Sequence, residues 1–155
     1  MRQAFDLDPW GEYAIEIDPR RVSPERIAML GALGFNRVSF GVQDFEPEVQ
    51  RAVHRIQSYD QTQRLVTAAR DHGFRSVNVD LIYGLPLQTP DSFRETLANL
   101  LDQMGMADSV PGPDVLSVVP PAEGVLTSEF DRYSAILKRL AVPYAVDAQR
   151  RATRS

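Results

Sequence analysis

Three short segments of this chain share one alternation, an apolar row on one face and a polar row on the other. They are Tyr13-Ala14-Ile15-Glu16-Ile17-Asp18, Arg37-Val38-Ser39-Phe40-Gly41-Val42-Gln43 and Val77-Asn78-Val79-Asp80-Leu81-Ile82-Tyr83. Side chains on a strand alternate faces with period two. Ile15, Ile17, Val38, Phe40, Val42, Val77, Val79 and Leu81 therefore form one apolar wall. Glu16, Asp18, Ser39, Gly41, Gln43, Asn78 and Asp80 fall on the other face. Helical patterns separate the segments, which predicts parallel strands in βα units. Strands of an ordinary parallel sheet read as near-continuous apolar runs, because both faces are buried. Acids and amides in three successive strands point instead to a face that meets a polar ligand.

The 155 residues suffice for one domain with its own core, and 43% hydrophobic and 25% charged residues are ordinary for a globular protein. A net charge of −4 gives no general nucleic-acid or membrane surface. The basic tail Arg150-Arg151-Ala152-Thr153-Arg154 reads as a frayed terminus. No apolar run reaches the length of about 18 residues that a spanning helix needs. No signal-peptide pattern opens the chain, so the expected location is the cytoplasm. Cysteine is absent, which removes disulfides, thiolate nucleophiles and thiolate-held metals. His54 and His72 lack metal-type spacing and read as surface helix residues.

Residues 1–11 read as the end of a preceding helix and loop. Ser23-Pro24-Glu25 opens a helix, with Ser as cap, Pro in the first turn and an acid facing the dipole. Ile27, Leu30 and Leu33 give it an apolar stripe, and Gly34 ends it. Further helices are expected from Pro47 with Val49 and Val53, from Asp60 to Gly73, and from Thr89-Pro90-Asp91 through Leu101. Each strand-to-helix loop carries special residues: Asp18-Pro19-Arg20, Gln43-Asp44-Phe45 and Tyr83-Gly84-Leu85-Pro86. The carboxyl ends of strands form the active face in barrels and doubly wound folds. Pro19, Gly84 and Pro86 are accounted for as turn residues, whereas Glu16, Gln43 and Asp80 lie inside strands and are not. After residue 103 the pattern changes to a Pro- and Gly-rich stretch, with an expected strand at 114–119 and an expected helix at 128–140. The chain thus divides into 1–103 and 104–155.

These blocks together resemble a known family. Ile15-Glu16-Ile17-Asp18-Pro19-Arg20, Asn36 through Phe45, and Asn78-Val79-Asp80-Leu81-Ile82-Tyr83-Gly84-Leu85-Pro86 look like consecutive blocks of the oxygen-independent coproporphyrinogen III oxidases. These are members of the radical S-adenosylmethionine superfamily. Glu48 through Gln57 also looks like the oxidases, more than the related haem chaperone branch. The resemblance covers roughly residues 1–103 and fades beyond a strand near Pro113 to Val118.

The resemblance implies an α/β fold, a partial (β/α) barrel of parallel strands that is incomplete in this chain. It implies S-adenosylmethionine lying across the carboxyl ends of the strands. By motif position, Glu16, Gln43, Arg55 and Asp80 look like its contacts, and Ala122 like a further backbone contact in a region that aligns poorly. The chemistry suits that ligand: carboxylates hold hydroxyls or an ammonium group, an amide gives and accepts, and a guanidinium pairs with a carboxylate. On residue chemistry alone, Arg55 reads as a surface helix arginine. The family also needs three closely spaced cysteines for a [4Fe–4S] cluster, and this chain has none. The isolated chain is therefore expected not to catalyse the family reaction, oxidative decarboxylation of coproporphyrinogen III to protoporphyrinogen IX. Two other readings stay open: a cluster-less protein that binds a ligand or partner, and an unrelated enzyme using Glu16 and Asp80 as an acid–base pair.

Overall fold

The computed structural model describes residues 7–103, 115–119 and 135–136. Its frame is a four-stranded parallel sheet in the order β1 (Ala14–Ile17), β2 (Arg37–Gln43), β3 (Ser76–Ile82) and β4 (Val115–Val119). The helices α1 (Pro24–Leu33), α2 (Pro47–Ala52), α3 (Tyr59–Asp71) and α4 (Pro90–Gln103) fill the connections. A single 3-10 turn, Pro19–Arg21, follows β1. All three strand pairs are parallel, and Ile15, Val38 and Val77 lie in one cross-strand row. Every strand advances one position along the sheet, so each connection returns over the sheet to start the next.

The apolar wall packs as the alternation dictates. Val38, Phe40, Val42, Val77, Val79 and Leu81 are fully buried, and Ile15 and Ile17 pack at the margin. Ile27 of α1, Leu65, Val66 and Ala69 of α3, and Phe93, Leu97 and Leu100 of α4 close over them in one cluster. Burying so many apolar side chains contributes about 1.5–3 kcal/mol each before chain entropy is charged against it.

Local signals explain the element ends. The Ser23 hydroxyl caps α1 by accepting from the Arg26 amide, and Gly34 terminates it with φ at 107°. Ser58 caps α3 in the same way. Asn36 aligns the strand starts: its side chain bonds the backbone of Gly11 and Tyr13, and its carbonyl accepts from Arg75 and Ser76. Gly31 is required where α1 crosses the end of α3, since a Cβ there would stand 2.2 Å from the His72 carbonyl oxygen.

Some expectations change. Strand β1 is shorter than expected, spanning four residues. α2 stops at Ala52, so neither His54 nor Arg55 lies on a helix. His54 is exposed just past the helix with φ at 56°, a left-handed turn that aims its carbonyl elsewhere. Arg55 is a loop residue that folds back onto the sheet. Strand β4 lies within the expected 114–119 segment. Of the expected helix at 128–140, residues 135 and 136 are described, both helical, and Ile136 is buried in the core. No helix among the described residues is long and apolar enough to cross a membrane.

Candidate functional site

The polar rows of β1, β2 and β3 meet in register. Glu16, Ser39 and Asn78 form one row, and Gly41 and Asp80 form the next toward the carboxyl ends. The Ser39 hydroxyl donates to Asp80 Oδ2 at 2.5 Å, and Asn78 Nδ2 donates to Asp80 Oδ1 at 2.6 Å and to Ser39 Oγ at 2.9 Å. Both carboxyl oxygens of Asp80 are thus oriented by neighbours and retain accepting capacity. Gly41 leaves the face bare beside Asp80. Glu16 stands exposed on the outermost strand, one row further back.

The strand pattern breaks at Gln43. The ladder slips between Gly41 and Gln43, and Gln43 adopts φ at 75°. It does not continue the strand parity expected from the alternation. The turn instead brings its side-chain nitrogen within 3.6 Å of where a Gly41 Cβ would stand, and Arg55 Nη2 lies 3.8 Å from the same point. Arg55 Nη2 donates to the Gly41 carbonyl at 2.7 Å. Gln43 and Arg55 therefore converge on Gly41, with Asp80 as its cross-strand partner. Arg55 Nε is buried with no hydrogen-bond partner. Buried donors of this kind are rare and costly.

A carboxylate at the end of β1 steadies Arg55. Arg20 grips Asp18 with two nitrogens, Nε to Oδ1 at 3.0 Å and Nη2 to Oδ2 at 2.6 Å, and Arg55 Nη2 stands 3.6 Å from Asp18 Oδ1. The left-handed turn at His54 is a Schellman cap of α2, with the His54 amide on the Arg51 carbonyl at 3.3 Å and the Arg55 amide on the Gln50 carbonyl at 2.9 Å, and Arg20 Nη1 also donates to the His54 carbonyl at 3.1 Å. The Arg20 hydrogen bonds, assisted by the Arg55 charge, hold the Asp18 carboxyl down to a pKa of about 2 from 3.8. A folded-state value below the unfolded one stabilises the fold above pH 4 and is lost as pH falls through 2. The stability gap between the native chain and Asp18→Asn should therefore shrink from pH 5 to pH 2 in urea titrations. Because the carboxyl is a quarter exposed, the gap should not exceed about 2 kcal/mol. A gap that widens on acidification would contradict this assignment.

Beneath the face lies a buried polar network. Asp44, 1% exposed, accepts from the Glu46 amide at 2.9 Å, Thr96 Oγ1 at 2.8 Å and Gln88 Nε2 at 2.5 Å. Gln88 also donates to the Ile82 carbonyl at 2.9 Å and accepts from the Gly84 amide at 2.5 Å. The loops after β2 and β3 are so tied together. Sequence reasoning placed Asp18 on the polar face and gave no individual role to Arg20, Asp44 or Gln88. Arg20 and Asp44 stood in loops already marked by unusual residues, but Gln88 carried no signal.

The residues present suit S-adenosylmethionine. A carboxyl group with both oxygens pre-oriented, a primary amide and a guanidinium with a spare buried donor share one face. They match a ligand that bears hydroxyls, an ammonium group and a carboxylate. A groove between β1 and α1 is lined by Glu16 and Asp18, and Gln43, Arg55 and Asp80 lie outside it. Ala122 lies outside the described residues. A [4Fe–4S] cluster does not fit this chain: it has no cysteine, and no group of three or more His, Asp or Glu that could hold a metal ion occurs among the described residues.

Comparison with known proteins gives the chain's relatives. The chain is 54% identical over 94 residues to the oxygen-independent coproporphyrinogen III oxidase of Pseudomonas aeruginosa, covering 61% of this chain and 20% of that protein. It is 45% identical over 118 residues to the oxidase of Escherichia coli K12, covering 76% of this chain and 24% of the relative. The solved Escherichia coli coproporphyrinogen III oxidase, described as a radical SAM enzyme, superposes with a TM-score of 0.68 at 41% identity, over 86% of this chain and 28% of that one. A radical S-adenosylmethionine methyltransferase of Kitasatospora setae superposes at 0.58 with 20% identity, over 76% of this chain and 22% of that one, a likeness of fold alone. The chain thus spans between a fifth and a third of the length of these proteins. The parallel sheet with its covering helices is a part of their α/β barrel. Residues 2–100 match the Radical SAM superfamily model, and with the oxidases as relatives on both sequence and structure, the chain belongs to that superfamily.

Proposed function

We propose that this chain forms the S-adenosylmethionine-holding part of an oxygen-independent coproporphyrinogen III oxidase. The substrate of the whole protein would then be coproporphyrinogen III. The observation that carries the reading is the convergence of Gln43 and Arg55 on Gly41 beside Asp80, with Arg55 Nε buried and unsatisfied. In this reading the Arg55 guanidinium pairs with the ligand carboxylate. Asp80 and Glu16 accept from hydroxyls or an ammonium group, Gln43 does both, and Ala122 adds a backbone contact. With a reduced [4Fe–4S] cluster, S-adenosylmethionine supplies radical chemistry that no side chain of this chain provides. The cluster ligands are not in this sequence, so the role of these residues is to bind and orient, and the isolated chain is expected to be inactive. The absence of cysteine also favours a second reading, a ligand-binding protein without redox chemistry. The first reading requires ligand binding at this face, and the second takes a ligand or a partner.

Calorimetric titration of the chain with S-adenosylmethionine tests the first reading. Replacing Gln43 and Asp80 together by alanine should weaken binding on the order of 100-fold, since each removes a polar contact worth about 1–1.5 kcal/mol. Affinity unchanged in the double variant would contradict the assignment.

A further inference from the structure

The backbone at Gln43 is strained, and a distinct set of buried amides holds it. The Asp44 amide donates to the Val42 carbonyl at 3.1 Å across Gln43, whose φ is 75°. A bond from residue i+2 to residue i with a positive central φ marks a γ-turn of the rare, strained hand. Such a conformation persists in a non-glycine residue only where its surroundings over-determine it.

Here they do. Gln57 Nε2 donates to the same Val42 carbonyl at 2.5 Å, and with Gln57 Oε1 buried and unpartnered, the nitrogen is the end committed to that contact. Gln50 Nε2 bridges the carbonyls of Asp44 at 3.0 Å and Gln57 at 3.0 Å, and Gln50 Oε1 accepts from the Gln57 amide at 3.3 Å. The Asp44 side chain is anchored from the far side by Thr96 and Gln88. Both residues flanking Gln43 are therefore clamped while Gln43 itself is free to face Gly41. Gln50 and Gln57 are each at most 6% exposed, so neither reaches a ligand on the open face.

We propose that Gln50, Gln57 and Asp44 are positioning residues, which hold the Gln43 γ-turn and through it the side chain that meets the ligand. This inference rests on the ligand reading above. It predicts that the Gln57 side-chain amide, which bonds the Val42 carbonyl, acts on affinity through Gln43.

A double-mutant cycle with S-adenosylmethionine as the probe tests it. Gln57→Met removes the amide and keeps the length of the side chain. Measured well below its melting midpoint, Gln57→Met should weaken binding roughly 5- to 30-fold. In a Gln43→Ala background the same change should alter affinity less than about twofold. Equal losses in both backgrounds, or no loss in either, would overturn the proposal, because a general loosening of the fold does not depend on Gln43. If the native chain binds no S-adenosylmethionine, the ligand reading fails and the clamp is judged by backbone NMR. The left-handed signature of Gln43, a strong intraresidue HN–Hα contact, should be present in the native chain and lost in Gln57→Met. Its persistence in the variant would show that the amides do not hold the turn.

Discussion

Truncating Phe40 to alanine should cost the chain about 3–5 kcal/mol, the largest single loss expected from its core. Phe40 is fully buried at the middle of β2, in register between Ile17 of β1 and Val79 of β3. It belongs to the cluster that all the covering helices but α2 share, with Ile27, Leu65 and Leu97 among its members. Both a transfer term and a cavity term apply, because a sheet held by ladders on both sides cannot collapse onto the void. A domain of this size has about 5–15 kcal/mol of total stability, so about a fifth or more would vanish. Urea denaturation reads the change directly as a lower midpoint at constant slope. A loss under about 1 kcal/mol would mean that the apolar wall is not the core.

The second large effect is expected at Asp44. Alanine there removes the acceptor of three donors at once: the Glu46 amide, the Thr96 hydroxyl and the Gln88 amide. Donors left buried without partners cost about 1–3 kcal/mol each, and water entering the void returns part of that. The net loss should be about 3 kcal/mol or more, a fall in melting midpoint on the order of 10 °C for a chain of this length. Thermal unfolding followed by circular dichroism measures it. A shift of less than about 2 °C would show that the carboxyl group is not the hub joining the loops after β2 and β3.

The sheet was legible because its signal is local and redundant. Val38, Phe40 and Val42 of β2 and Val77, Val79 and Leu81 of β3 obey the period of two, with Ile82 at the end of β3 departing from it, and β2 spans the segment that the alternation marks. Ser23 and Gly34 likewise announce the ends of α1 through capping chemistry that needs no distant partner. The polar row was legible for the same reason, since Ser39, Asn78 and Asp80 fall on the face the parity gives them.

What the sequence hid depends on contacts far along the chain. Gln43 gives no sign of a positive φ, which glycine or asparagine would signal, because the amides of Gln50 and Gln57 impose it from elsewhere. Asp44 reads as a turn residue until Thr96 and Gln88 are folded against it from beyond β3. Arg55 reads as helical because Glu48 to Arg51 are. The left-handed turn at His54, closed by backbone bonds to Arg51 and Gln50, redirects it onto the sheet.

The central claim is that the carboxyl ends of β2 and β3 form a binding face for S-adenosylmethionine. Titrating the 15N-labelled chain with S-adenosylmethionine and following its amide resonances tests this most directly. The account predicts saturable shifts concentrated at Gly41 to Asp44, at Arg55 and at Asp80 to Gly84. No shifts at millimolar ligand, or shifts confined to residues away from this face, would contradict it.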